Sequence, residues 1–254
     1  MRLCVNGSRP YPRRLPNIKA ALIVSVLLTV VLGYWLVERT DFGQRSNVLA
    51  VVGAKPVTVM AFSAAFSLSA LPAGWYHRRF VSRAAMDVRA VQRNGGFVAQ
   101  CQTHNSASML VRYIDADIAQ HPFFEWRWMV EDGIESPLDE RSKEGDDHPI
   151  RLFLRFADAG GATRAMEVIW ANVHLQAGEW KYLGRFPHFV ANGGVANLGR
   201  WHDERVDLRD LYRSAWGGAR GIRLTEVALF CDSDETGDAT SAYVQYVRLE
   251  PNGF

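Results

Sequence analysis

What this 254-residue sequence lacks narrows the field first. It has three cysteines, Cys4, Cys101 and Cys231, and no two of them stand at a zinc or redox spacing. A disulfide-dense mini-scaffold and a cysteine-based zinc module are therefore excluded. The seven histidines (77, 104, 121, 148, 174, 188 and 202) contain no pair four apart, so the helical H-E-x-x-H metalloprotease motif is missing as well. G-x-S-x-G, the phosphate-cradling G-x-x-x-x-G-K-[ST] and the dinucleotide glycine fingerprint are all absent, which removes the common hydrolase and nucleotide-enzyme readings. Neither sign of charge dominates, with 29 Lys and Arg against 27 Asp and Glu. No internal repeat or low-complexity tract breaks the chain. With 48% apolar residues there is enough material to bury a core, and disorder is excluded.

The near-neutral total conceals an uneven distribution. Residues 1–55 carry eight Lys/Arg and two Asp/Glu, so the remaining body is mildly acidic. An acidic body offers no concentrated basic surface for phosphates, and nucleic acid is not expected as a partner. From Ala20 to Val37 runs AALIVSVLLTVVLGYWLV, eighteen residues without a charge. At 1.5 Å per residue this reaches about 27 Å, close to the roughly 30 Å of a hydrocarbon core. Arg2, Arg9, Arg13, Arg14 and Lys19 precede it with no acid among them, which holds the N-terminus in the cytoplasm. The run is longer than a secretory h-region and leaves through Gly33-Tyr34-Trp35-Leu36 instead of an A-x-A site, so an uncleaved anchor is expected. A second apolar stretch, Val57–Leu71, is too short to span and contains four Ser/Thr. The expected organisation is a basic cytoplasmic tail (1–19), a transmembrane helix (20–37) in the bilayer of a bacterial inner membrane, a linker (38–56) and a periplasmic domain (57–254).

Within the body, β-branched and aromatic runs recur between turn residues: Asp87–Arg93, Gly96–Gln102, Ala107–Ile114, Phe123–Val130, Ile150–Phe156, Ala165–Trp170, Leu224–Asp232 and Ala242–Glu250. Several alternate with period two, as Trp126 and Trp128 do against Glu125 and Arg127, which is the pattern of a strand with one face in a core. Asn94-Gly95-Gly96, Gly160-Gly161, Asn192-Gly193-Gly194 and Gly217-Gly218 supply the positive φ of tight turns. One short helix is expected over Val206–Trp216, where Leu208, Leu211, Tyr212 and Ala215 keep a 3–4 spacing. No strand–helix–strand rhythm appears. The expected fold class is all-β: an antiparallel jelly-roll-type β-sandwich behind one N-terminal transmembrane helix.

The landmarks LPAGWYHRRF (71–80), FEWRWMV (124–130), Glu144-Gly145-Asp146-Asp147 before IRLFLRF (150–156), EVIWAN (167–172), LGRW (198–201), DLYRSAWG (210–217) and the closing ALFCDSDETGD stretch (228–238) resemble the bacterial domain of unknown function 3047 family over about residues 57–250. The resemblance implies a β-sandwich shaped like carbohydrate-binding modules, exported or membrane-attached. It implies no catalytic residues.

Candidate sites follow from side-chain chemistry. Asp232, Asp234 and Asp238 in DSDETGD provide hard oxygen donors suited to calcium. An EF-hand is excluded because Tyr243 stands where its twelfth-position Glu would be, so a looser calcium site and a solvated turn both stay open. Asp146 and Asp147 with Arg151 read as a structural ion pair or as the polar wall of a ligand cleft. Adjacent carboxylates point to opposite sides of an extended chain and cannot pair as acid and base. Asp210 and Trp201 complete the candidate ligand set, Trp201 as a stacking platform. Cys101 and Cys231 both fall in expected strands, where either a bridge or two small apolar fillers would fit.

These features point to a membrane-anchored, periplasmic, non-enzymatic recognition or assembly module with a glycan as the first ligand class. An accessory subunit packed on other inner-membrane complex subunits and an enzyme acting on envelope polysaccharide are the alternatives.

Overall fold

The structure, a computed structural model, describes residues 47–252 apart from 65, 94 and 219. The segment 20–37, expected to cross the membrane, lies outside the described residues. Among the described residues no helix is long and apolar enough to do so.

In chain order the strands are β1 (Leu49–Ala50), β2 (Val57–Ala61), β3 (Trp75–Arg79), β4 (Asp87–Arg93), β5 (Gly96–His104), β6 (Ala107–Asp117) and β7 (Phe123–Asp132). They continue as β8 (Arg151–Ala157), β9 (Thr163–Ala171), β10 (Trp180–Leu183), β11 (Phe186–Gly193) and β12 (His202–Asp207). Helix α1 (Leu208–Trp216) then precedes β13 (Arg223–Asp232) and β14 (Ala239–Glu250). Two sheets face each other. One runs β1-β6-β13-β8-β9-β11-β10 with β3 beside β6, and the other runs β12-β7-β14-β5-β4 with β2 beside β14. The consecutive strands β5/β6, β7/β8 and β13/β14 each divide between the two sheets, which is the nested wrapping of a jelly roll. Asn105 turns the first of these corners with φ +48°, a conformation that Asn tolerates better than most side chains.

The eight expected strands all form, several extended by one to three residues. Their alternation is what makes two faces: Leu152, Leu154 and Phe156 of β8 turn inward and are buried, while Arg151, Phe153 and Arg155 take the other face. Trp126, Trp128 and Trp170 form an edge-to-face chain through the core, with ring centroids 5.3 and 5.8 Å apart. Aromatic pairs in this geometry add about 0.5–1.5 kcal/mol to what area burial supplies. Cys101 of β5 and Cys231 of β13 form a disulfide that ties the two sheets together, closing the alternative left open by the sequence.

Several expectations need correction. The sandwich is not wholly antiparallel, because β11 runs parallel to β9 and β1 parallel to β6. Strand pairing begins at Leu49, inside the expected linker, and Val51 is buried in the core. The apolar stretch from Val57 opens as β2, an edge strand that pairs with β14 and buries Val59 and Met60. Asn192-Gly193-Gly194 is no hairpin: it is the end of β11, where a Cβ at Gly193 would meet the Ala171 carbonyl oxygen at 2.6 Å. Helix α1 starts two residues later than expected, at an Asp207 cap that accepts from the Arg209 amide at 2.8 Å.

Candidate functional site

The outward face of the eight-stranded sheet carries a row of charged side chains where an ordinary sheet would carry scattered solvated ones. Across neighbouring strands stand Asp232 (β13), Arg151 (β8), Glu167 (β9), His188 (β11) and Lys181 (β10), all buried. Register sets the order: Phe230 lies opposite Arg151, Glu167 opposite His188, and His188 opposite Lys181. Arg151 is the centre. Its Nη1 donates to Glu167 at 2.8 Å, its Nε donates to Asp232 at 3.0 Å, and its Nη2 reaches both the Asp232 carboxylate and the Asp146 carbonyl oxygen. The guanidinium also lies over the Phe230 ring at 4.7 Å. Burying such a charge is tolerable only with this degree of pairing.

The β7–β8 connection supplies the cover. Glu140 accepts from the backbone amides of Asn172, Val173 and His174 at 2.6–2.7 Å, which fixes the loop over the sheet. Lys181 donates to the Glu140 carbonyl oxygen at 2.7 Å and pairs with the Asp146 carboxylate. His148 Nδ1 lies 3.0 Å from the Trp170 carbonyl oxygen and its Nε2 lies 2.7 Å from Lys181 Nζ. A neutral ring with its proton on Nδ1 satisfies both contacts, and burial together with the charges of Lys181 and Arg151 holds its pKa well below the ordinary histidine value.

The turn after β13 closes the other side. Asp147 accepts from the Glu235 amide at 3.3 Å and from the Thr236 amide and hydroxyl at 2.6 Å, while Arg83 pairs with Asp234 at 2.6 Å and Glu235 at 3.3 Å. Carboxylate oxygens of Asp147, Asp232, Asp234 and Glu235 all lie within 4.8 Å of one another. Four acids so close cannot all stay ionised unaided. Burial, then the hydrogen bond to Asp147 and the Asp234 charge, push the Glu235 carboxyl up to about 8. Burial would raise Asp147 too, but the hydrogen bonds it accepts from Glu235 and Thr236 outweigh this and lower it. Asp232 is driven well above the carboxylate range by burial, against the pull of Arg151. Burial works on Glu167 in the same direction, yet Arg151 and His188 prevail and hold it at about 2.

Five of these groups floor a pocket of about 290 Å³. Asp146, Arg151, Glu167, His188 and Asp232 form its polar base, and Phe80, Phe186 and Phe230 form its aromatic walls. The chain matches the family described as "Protein of unknown function (DUF3047)" over residues 73–248. It belongs to that family. No curated protein matches it. Among solved structures, this DUF3047 chain is similar to the family 30 carbohydrate-binding module of the cellulosomal cellulase Cel9D-Cel44B of Clostridium thermocellum, at 10% identity and a TM-score of 0.41, covering 78% of this chain and 99% of that one. It is similar to Caldicellulosiruptor saccharolyticus CBM27-1 in complex with mannohexaose, at 12% identity and a TM-score of 0.38, covering 80% and 100%. It is also similar to the enzymatically active domain of bacteriophage CBA120 tailspike protein 4, at 9% identity and a TM-score of 0.40, covering 70% of this chain but 19% of the tailspike. These likenesses go no further than architecture.

Of the residues singled out in the sequence, the DUF3047 fold brings Asp146, Asp147, Arg151, Asp232 and Asp234 to one place. Three others lie elsewhere. Asp238 accepts from the Glu135 amide at 3.1 Å and stands outside the carboxylate cluster. Asp210 is exposed on α1, paired with Arg213 at 2.9 Å. Trp201 packs near Tyr243 of the other sheet, with Arg127 5.8 Å from its ring. Sequence reasoning missed Glu167, His188, Lys181 and Glu235. The signal for Glu167 was present, a single acid inside the apolar run Ala165–Trp170 at a position whose neighbours Met166 and Val168 both face the core.

Proposed function

We propose that this protein is a membrane-anchored recognition module that binds a glycan in the pocket on the outer face of the eight-stranded sheet, with its folded domain in the periplasm. One observation carries the reading: a pocket whose charged base is locked by its own ion pairs and whose walls are three phenylalanine rings. Sugar hydroxyls both donate and accept, so a base presenting Glu167 and Asp232 as acceptors beside Arg151 as donor suits them, and ring faces suit the C–H side of a pyranose. Because the charged groups are fixed before ligand arrives, little side-chain freedom is lost on binding. The volume sits near the lower end of the roughly 300–1,000 Å³ of ligand pockets, which fits one or two sugar units.

One feature favours recognition over hydrolysis: the carboxyl groups on the pocket base, Glu167 and Asp232, are both bound to Arg151. Beside the pocket, Asp147, Asp232, Asp234 and Glu235 provide the donors that calcium would take. Export is supported by the disulfide between Cys101 and Cys231, a bond that persists in oxidising compartments. The test is calorimetric titration of the full chain, purified in mild detergent, with a panel of oligosaccharides. Binding that Phe186→Ala and Glu167→Gln both abolish supports the reading, whereas binding unchanged in both variants places the ligand elsewhere.

A further inference from the structure

A second concavity adjoins the pocket and has the opposite electrostatic character. It is a groove of about 940 Å³ between the β10–β11 hairpin and the C-terminal end of α1. Phe186 lines both cavities. The groove contains two arginines, Arg164 and Arg185, and no carboxylate lines it. Among the described residues neither arginine has an acidic partner: Arg164 donates to the Trp216 carbonyl oxygen at 3.5 Å and lies 5.8 Å from the Trp216 ring, and Arg185 is exposed in the β10–β11 turn. The arginines of the outer face are paired, as Arg78 and Arg155 are with Glu226 and Arg151 is with three acids, whereas Arg164 stands opposite Phe156 on the inward side of β9, at the end of the sheet beside α1.

The aromatic groups of the groove are held in place. Tyr182 is 48% exposed yet stacked on Trp180 at 6.3 Å, and Trp216 is wedged against Tyr212 at 4.9 Å and Phe156 at 6.0 Å. Along β9, Glu167 belongs to the pocket and Ala165 and Thr163 to the groove, all at alternate positions of one strand. Two residues of strand cover about 6.8 Å, so the groove opens about one sugar ring away from the pocket base.

We infer that the groove is a subsite for a carboxylate-bearing sugar, so that the ligand of the pocket is an acidic glycan with a uronate unit beside the unit held on Glu167 and Arg151. This rests on the recognition reading above and adds the ligand's charge and direction. Planar guanidinium forks match carboxylates, and fixed rings take the sugar face, whereas a lipid headgroup would leave those rings without a partner.

The test uses the full chain in mild detergent and matched probes: oligosaccharides from alginate and hyaluronan, the same oligosaccharides after reduction of each carboxyl to a primary alcohol, and short-chain phosphatidylglycerol. At least one acidic probe is expected to bind about ten-fold more tightly than its reduced counterpart, with the preference falling as salt rises. The double variant Arg164→Gln/Arg185→Gln is expected to erase that preference while retaining the affinity for the reduced probe and the wild-type melting temperature. Equal affinity for acidic and reduced probes overturns the subsite and leaves the pocket reading standing. Loss of both classes of sugar from the wild type overturns the two together. Tight phosphatidylglycerol binding that the double variant abolishes overturns the glycan assignment in favour of a lipid headgroup.

Discussion

Replacing Arg151 by Met is the most informative single change in the fold. Arg151 is buried and contacts Asp232, Glu167 and Asp146, so its removal leaves the buried Glu167 carboxylate without its main counter-charge and the buried Asp232 carboxyl without its donor. Breaking a buried pair from one side costs about 3–5 kcal/mol. The pH dependence gives an independent handle. In the fold Glu167 titrates at about 2 against 4.5 ordinarily, and at about 1.4 kcal/mol per pH unit this contributes about 3 kcal/mol of stability. The sign is that of a depressed acid: the contribution is complete above pH 4.5 and drains away as pH falls through 2. Asp232 works the other way, since its raised pKa favours the folded state at low pH and opposes it as pH rises. In Arg151→Met the largest of the interactions that hold Glu167 down is gone and His188 alone opposes burial, so the acid loss between pH 4.5 and 2 should shrink. Urea unfolding of the full chain followed by tryptophan fluorescence, with buried Trp126, Trp128 and Trp170 as reporters, measures both quantities. A variant within about 1 kcal/mol of wild type at pH 7, with the same decline below pH 4.5, would refute the view that Arg151 neutralises this face.

Three further outcomes are expected. In denaturant without reductant, neither Cys101 nor Cys231 should alkylate, and both should after reduction; removing the bridge with Cys101→Ser/Cys231→Ser should cost up to about 5 kcal/mol on the chain-entropy model for a 130-residue separation, read as a lower urea midpoint. Millimolar calcium against chelator should raise the melting temperature more at pH 9 than at pH 6.5, because the cation must displace the proton that Glu235 holds up to about 8, and Asp234→Asn should blunt the effect; coincident melting curves would return the loop to a solvated turn. Alkaline phosphatase fused after Phe254 should be active and a cytoplasm-only reporter dark, and the reverse pattern would remove the periplasmic placement.

The legible part of this fold was the part in which alternation sets burial. IRLFLRF and FEWRWMV place Leu152, Leu154, Trp126 and Trp128 inward wherever the strands end up, and β-branched and aromatic runs between turn residues, several with period two, located eight strands. The strands that escaped lie mostly at sheet edges or hold few apolar residues. β12 reads HDERVD because it lines the edge beside β7, and β11 is broken up by Pro187. The site divides along the same line. Asp146, Asp147 and Arg151 are near neighbours in sequence, and the acidic turn at 232–235 is conspicuous, but their meeting depends on β13 lying beside β8 at the register that sets Phe230 opposite Arg151. Glu167 and His188 join through the parallel β9–β11 pairing, which no local pattern in the chain announces.

Whether ligand binds on the outer face of the eight-stranded sheet is decided by a crystal structure of the full chain with the tightest-binding oligosaccharide. The expected result is a sugar ring within hydrogen-bond distance of Arg151 and Glu167 and in contact with Phe186 or Phe230. A sugar seated on the six-stranded sheet around Trp201, with the Arg151 pocket holding only water, would contradict it.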